Sequence, residues 1–241
     1  MLTTSANGSS GRTLREAAIS RGPAATLAVL AALGIAGGDL AAQQIDAGRL
    51  ALREGGQRVA IESYRVWEAG ANLNSVAAIE PSGNRGGDFQ VGISLDTRFR
   101  GQEYRLRGPD GRALDGVWAV DRVRIHTVTE EGERWRELPS RGPNTVLEEG
   151  VAHHYLLLIH VLRESGGRAT AVVPLRGVTV MTELVGQQDS QVTLDDLSIA
   201  ATRYDLRVDG EERRVWIDAD GRLLRVLDPA SGREAIRLPE R

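Results

Sequence analysis

The sequence predicts an all-β, mainly antiparallel protein in which a curved sheet or open barrel wraps around one apolar helix, with an N-terminal signal peptide in front. From residue 57 onward, short runs that alternate between apolar and polar residues are separated by turn residues. Residues 148–165 form a long apolar segment, and residues 24–37 form a shorter, uncharged one. We therefore expect a signal peptide over residues 1–43 and a single antiparallel β domain over residues 44–241, with its helical segment near 148–165.

The composition is that of a folded domain with an aliphatic core. Of 241 residues, 41% are hydrophobic and 26% are charged, which excludes a disordered chain. Aromatic residues make up only 4%, so we expect a core mainly of Val, Leu, Ile and Ala. The formal net charge of −3 excludes nucleic acids and anionic lipid surfaces as partners, because both require a basic surface. The sequence contains no cysteine, so neither a disulfide nor a lipidated cysteine is expected.

The N-terminal segment has the three parts of a secretory signal peptide. Three arginines precede the apolar run of residues 24–37, and small residues follow it. The run is shorter than the ~20 residues that span a bilayer, and Asp39 ends it. No Arg-Arg pair precedes the run, so we expect the general secretion route. Cleavage is expected near residues 42–43, at the small residues that follow the run. The mature protein would then be periplasmic or extracellular, without a stable membrane span. The alternatives for this run are a single membrane anchor or a buried helix.

The alternating runs give the strands in order. The clearest is residues 88–95, where Phe89, Val91, Ile93 and Leu95 share one face. Asp-Gly pairs in the last third indicate tight hairpin turns and a meander of at least three strands. The predicted strands are residues 57–67, 72–80, 88–95, 101–107, 117–127, 203–209, 213–218, 223–228 and 233–238.

Residues 148–165 predict the helix because the segment is long, apolar nearly all round and followed by two glycines. Such a helix should be buried within the curved sheet. On a helix, His153 and His160 would lie roughly 10 Å apart, too far for one metal ion. We therefore predict no metal site there.

Other motifs for chemistry fail on spacing or context. Residues 218–221 start like a calcium loop, but position twelve is Pro229, and a hairpin turn explains the aspartates. Residues 92–96 resemble a nucleophile elbow but lack its last glycine. The Gly-rich residues 82–87 open no helix and so predict no phosphate site. No catalytic residue, cofactor or metal ligand is predicted.

Aromatic residues in strands are the remaining candidates for a site. Three of the four tryptophans lie in the strands given above, and Trp135 is interpreted as a strand residue as well. At strand positions plain core packing is the commoner role, and a pocket wall is the alternative. The residues that we predict to line a ligand are Trp67, Phe89, Val91, Ile93, Trp118, Tyr155, Leu158 and Trp216.

Several of these segments carry a resemblance. The signal peptide, the opening strands around residues 62–67, the apolar segment 146–162 and the closing strands over 215–226 resemble uncharacterised secreted bacterial β proteins. Those proteins are similar to the lipoprotein-carrier (LolA/LolB-like) superfamily. The resemblance covers most of residues 57–238. It implies an open antiparallel barrel around a helical plug, with an apolar cavity for acyl chains, and it implies no catalytic residue.

Three functions follow as hypotheses. The first is an exported, soluble, non-catalytic envelope protein that holds a lipid, acyl chain or other hydrophobic ligand in the curved sheet. The second is a structural or interaction module without a ligand cavity. The third is a secreted hydrolase, for which the sequence offers no motif.

Overall fold

A computed structural model describes residues 43–83, 87–98 and 100–239. The predicted signal peptide lies outside these residues, apart from Gln43 at its end. The described residues form fifteen strands and one helix, α1, over His154–Glu164. The strands are β1 Gln43–Glu54, β2 Gln57–Ala69, β3 Asn72–Pro81, β4 Phe89–Leu95, β5 Gly101–Arg107, β6 Ala113–Trp118, β7 Arg122–Thr129, β8 Gly132–Pro139, β9 Asn144–Val146, β10 Arg168–Val173, β11 Val178–Leu194, β12 Leu197–Val208, β13 Glu211–Asp218, β14 Leu223–Asp228 and β15 Arg233–Arg237.

One sheet contains all fifteen strands. From edge to edge, strands β8 back to β1 are followed by β15 back to β9, so two meanders lie side by side. Pairing of β1 with β15 joins them, with Leu50 opposite Arg237 and Leu52 opposite Ala235. Neighbouring strands are antiparallel except β9 and β10, which are parallel. The predicted mainly antiparallel sheet is confirmed.

The sheet is strongly curved because its two edge strands are consecutive in the chain. Only residues 140–143 connect β8 to β9, and this link reaches at most roughly 18 Å. Fifteen strands in a flat sheet would place those edges roughly 65 Å apart. The hydroxyl of Thr179 donates to the carbonyl of Pro139 at 2.9 Å, and the amide of Gly101 donates to Oδ1 of Asn144 at 3.0 Å. These hydrogen bonds hold the two meanders close together near the edges of the sheet. The edge strands β8 and β9 do not pair with each other, so the barrel is not closed.

Helix α1 lies on the concave side of the sheet. It belongs to the crossover that the parallel pair β9 and β10 requires. Leu156, Leu157, Leu158 and Ile159 are at most 1% exposed and pack against inward-facing residues of both meanders. The predicted curved sheet around one apolar helix is therefore confirmed. Within the described ranges, no helix has the length and apolarity needed to cross a membrane.

Two predicted boundaries were wrong. The helix begins at His154 rather than near 148, because Gly150 adopts φ +77° and the preceding residues form a loop. The predicted strand over 117–127 is two strands. β6 ends at Trp118 and β7 begins at Arg122, since the chain turns back there and the amide of Ala119 donates to the carbonyl of Arg122 at 2.8 Å.

Candidate functional site

The eight residues predicted to line a ligand lie in three surroundings. Five belong to the core between sheet and helix, namely Phe89, Val91, Ile93, Trp118 and Leu158. Trp67 and Trp216 lie on the outer face of the sheet. Trp216 packs there in a separate apolar cluster with Val192 and Leu224, and the guanidinium of Arg65 lies 4.6 Å from the ring centroid of Trp67. Tyr155 alone of the eight lines the open concavities described below.

A buried carboxylate holds the N-terminal end of α1. Glu62 of β2 is 0% exposed and points inward, in phase with Ala60 and Tyr64. Its Oε2 accepts from the amide of Ala152 at 2.6 Å, and its Oε1 accepts from the amide of His153 at 3.0 Å and contacts Nδ1 of that residue at 2.5 Å. The first amides of a helix lack intrahelical partners, and its positive end attracts an anion. Glu62 therefore anchors the helix to the sheet.

Ser75, His153 and Glu62 are arranged in the same order as the serine, histidine and acid of a serine hydrolase. The hydroxyl of Ser75 lies 3.1 Å from Nε2 of His153, whose Nδ1 contacts Glu62. All three side chains are 0% exposed, so no substrate atom reaches the hydroxyl. Ser75 also lies within strand β3 rather than at a strand-to-helix turn. The arrangement gives no support to the hydrolase hypothesis, and its role is structural.

A second buried polar group adjoins the first. The ring of Tyr64 stacks on His153 at 5.5 Å, and its hydroxyl donates to Asp46. Arg237 donates to Oδ1 of Asp46 at 3.1 Å and to the hydroxyl of Tyr64 at 3.1 Å. A Cβ on Gly48 would lie 2.7 Å from Nη2 of Arg237, so this glycine provides the space for the guanidinium. Burial and then the charge of Asp46 raise the pKa of Tyr64, which keeps its hydroxyl a donor.

The open end of the curved sheet carries two adjoining lobes, which together we call the mouth. The lobes have volumes of about 190 and 200 Å³ and share Glu148, Glu149, Tyr155 and Arg213. The first lies against β1, β14 and β15, and the second against β10, β11 and β12. The first lobe has an apolar floor of Leu52, Val59, Val151, Ala152, Val226 and Ala235. The second lobe contains Leu147, Val173, Val180 and Val208, but its surface is mainly polar.

Tyr155 and Arg213 divide the mouth. Burial raises the pKa of Tyr155, and the neighbouring Arg213 opposes this shift. Arg213 also donates to Glu211 at 2.6 Å and lies 3.2 Å from Asp228. The divider is thus an ion-paired side chain against an aromatic ring.

Glu148 is the acid at the mouth whose pKa is shifted most strongly from its usual value. It is 3% exposed, and its carboxylate accepts from the amides of Leu175 at 3.1 Å and Glu149 at 3.3 Å. Burial raises the pKa of Glu148 from 4.5 to about 7, although the two amides act in the opposite direction. Burial lowers the pKa of the adjacent His154, whose Nδ1 accepts from the amide of Glu148 at 3.1 Å.

The shift of Glu148 predicts a pH dependence of stability. Between pH 4.5 and 7 the unfolded chain loses this proton while the folded chain retains it, so ionisation of Glu148 is expected to remove about 3 kcal/mol of unfolding free energy across this window. His154 acts in the opposite sense below pH 6.5, because its folded pKa is lowered.

The difference between wild type and Glu148→Gln isolates the carboxyl group. Urea unfolding at pH 4.5 and pH 8 should show the variant gaining on the wild type by about 3 kcal/mol as pH rises. Glu130→Gln, in the exposed turn after β7, should leave the pH profile unchanged. Parallel profiles for wild type and Glu148→Gln would show that the carboxyl group titrates normally.

Of the four residues shared by the lobes, the sequence analysis named Tyr155 as a candidate and did not name Glu148, Glu149 or Arg213. The two glutamates fell inside the helix predicted over 148–165, where they resembled solvated first-turn residues. Arg213 lies more than fifty positions away, so only the fold brings it to Tyr155. In the part of the chain that the structure describes, no three His, Asp or Glu side chains are arranged to hold a metal ion.

Comparison with known proteins gives a likeness of fold. The chain is similar to the crystal structure of a β-barrel-like protein of a domain of unknown function, DUF1849, from Brucella abortus. The TM-score is 0.47 at 10% identity, over 82% of this chain and 95% of that one. No family model matches the chain, and no curated protein does. The predicted resemblance to uncharacterised secreted β proteins and to lipoprotein carriers stays a prediction.

Proposed function

We propose that this protein is an exported, non-catalytic binding protein that takes a small amphiphilic ligand at the mouth. The observation that carries the proposal is the pair of adjoining lobes that share Tyr155, the first mainly apolar and the second mainly polar. Each lobe is smaller than the ~300–1,000 Å³ found for sites of drug-sized ligands, so the ligand is a small one. The apolar part of the ligand lies on the floor, and its polar part contacts the charged rim.

Packing of the interior favours the mouth over the space between sheet and helix. Leu157, Leu158 and Leu162 are 0% exposed, and residues Val91 and Ile93 of the sheet pack into the same core. An acyl chain inserted there would displace close-packed side chains, which costs more than filling an existing concavity. Tyr155 is then the predicted lining residue that contacts ligand.

Binding of a neutral apolar fluorophore tests the site without reference to charge. N-phenyl-1-naphthylamine should bind saturably to wild type, with a fluorescence increase. Leu52→Trp replaces a leucine in the first lobe with a bulky indole ring. The variant should bind the probe roughly tenfold or more weakly, because the probe and the indole would occupy the same space in the lobe.

Leu197→Trp is the matched control. Leu197 lies at the tip of the β11 and β12 hairpin and is 70% exposed, so this variant should bind as wild type does. Far-UV circular dichroism and urea unfolding verify that both variants fold. Absence of saturable binding by wild type, or unchanged binding by folded Leu52→Trp, would count against the site.

A second candidate is the interaction module. Trp135 on edge strand β8 is 62% exposed and stacks on His126 at 4.1 Å. A concavity of about 280 Å³ beside it is lined by Arg124, Trp135, Arg136 and Glu137, and its surface is mainly apolar. An exposed aromatic on a strand edge suits a protein partner better than a small apolar ligand. This candidate gains if the fluorophore fails to bind.

A further inference from the structure

We propose that the ligand at the mouth carries a cationic group, an alkylammonium or quaternary ammonium, which the carboxylates of the rim bind. This inference rests on the proposed function and specifies its ligand class. It departs from a fatty acid or another anionic amphiphile, which an apolar floor alone would also accommodate.

Charge at the mouth is the first observation. Seven carboxyl side chains and four arginines line the two lobes. Glu148 is buried and has a raised pKa, and the other six carboxylates exceed the arginines by two. Two of these acidic side chains, Glu148 and Glu149, stand where the lobes meet. In a concave, partly desolvated site the sum of such charges selects the sign of the ligand. An anionic head group would enter an environment of its own sign.

The arginines of the rim are already engaged. Arg233 lies 3.0 Å from Glu54, and Arg176 lies 3.7 Å from Asp209. Arg53 lies 3.9 Å from Glu234, while Arg213 contacts two carboxylates. An anionic ligand would therefore have to displace a carboxylate of the protein. A cation meets no such competitor at Glu149, because the ion pairs of these arginines are with other carboxylates.

The carboxylates without an arginine partner are the ones nearest the divider. Among the described residues no arginine forms an ion pair with Glu148 or Glu149, and both line both lobes. Glu149 is exposed, whereas Glu148 is buried and held by backbone amides. A cation at the junction of the lobes would therefore pair with Glu149, the accessible one of the two acids.

Tyr155 supplies a second kind of contact for the same group. Its ring lines both lobes beside the two glutamates. The face of an aromatic ring attracts a cation, and aromatic rings combined with carboxylates are the usual surroundings of a bound quaternary ammonium. An apolar floor, an aromatic ring and unpaired carboxylates together describe a site for a cationic amphiphile.

Three octyl amphiphiles with different head groups test the inference, because their tails are identical. Octyltrimethylammonium, octyl sulfate and octyl glucoside are titrated as monomers into the full-length mature protein by isothermal titration calorimetry. Octyltrimethylammonium should bind roughly tenfold or more tighter than octyl sulfate, with octyl glucoside between them, and added salt should reduce the preference. Octylammonium distinguishes a primary amine from a quaternary one.

Substitution at Glu149 ties the preference to the mouth. Glu149→Gln should weaken octyltrimethylammonium about threefold to fivefold, as expected for a partly exposed ion pair. Glu149→Lys should weaken it further and improve octyl sulfate. Glu130→Gln, which removes an equal charge from the exposed turn after β7, should have no effect.

The outcomes separate this inference from the function on which it rests. If octyl sulfate or octyl glucoside binds as tightly as the cation, the inference is wrong while the binding site stands. If none of the octyl compounds and no neutral fluorophore binds saturably, the proposed function fails first. Equal cation binding by wild type and both Glu149 variants would also overturn the inference, because the preference would then arise elsewhere.

Discussion

Glu62→Ala is expected to lower the free energy of unfolding by about 3–5 kcal/mol. The substitution leaves two backbone amides, those of Ala152 and His153, and one imidazole nitrogen without their acceptor. All of these donors lie where the side chains are 0–6% exposed, so water does not replace the carboxylate. The loss also removes the negative charge at the positive end of α1. Urea unfolding followed by far-UV circular dichroism measures the effect.

Graded substitutions distinguish the anchor from simple loss of volume. Glu62→Gln keeps the size of the side chain but places an amide against a backbone donor, so it should cost more than half as much as the alanine variant. Glu68→Gln changes an exposed glutamate on the same strand and should alter stability by less than about 0.5 kcal/mol. A Glu62→Gln protein as stable as wild type would show that the charge does not hold the helix.

The sequence predicts the architecture because alternation and a long apolar segment are local signals. Strand β4 illustrates this, since Phe89, Val91, Ile93 and Leu95 share a face and point inward as the pattern predicts. Strand β8 illustrates the opposite, because seven of its eight residues are exposed and it therefore lacks an apolar period. The sequence predicts that the sheet is curved but not how strongly. The short link of residues 140–143 brings the two edges together, and this becomes clear only once the strand order shows that β8 and β9 are the edge strands.

Of the contact between Glu62 and His153, the sequence pattern indicates only the glutamate. Glu62 lies in phase with Ala60, Tyr64 and Val66 on a half-buried strand, and an acid among inward-facing residues is a signal for a buried partner. Its partner His153 is 91 positions away and belongs to the loop before the helix. No local pattern connects the two, since their contact depends on the crossover that places α1 inside the sheet. The lobes of the mouth escaped prediction for the same reason.

Arg237→Met is expected to destabilise the protein by about 3–5 kcal/mol, because it leaves the carboxylate of Asp46 buried without its counter-ion. Arg237 is 7% exposed and donates to Asp46, to Tyr64 and to the carbonyl oxygens of Ala47 and Leu223. These contacts join the last strand of the described chain to the first. Arg233→Met on β15 is the control, because its ion pair with Glu54 is more than half exposed and is expected to contribute at most about 1 kcal/mol.

A double-mutant cycle tests whether Asp46 is the reason for that loss. Asp46→Leu with Arg237→Met removes both charges, so the double variant should recover part of the stability and be more stable than the sum of the single effects predicts, by about 2 kcal/mol or more. The recovery is incomplete, because the amide of Leu223 and the hydroxyl of Tyr64 lose their acceptor in the double variant. If the two losses are additive, Arg237 acts through the carbonyl oxygens of Ala47 and Leu223. Strand β15 would then be held by hydrogen bonds to the backbone rather than by the buried ion pair.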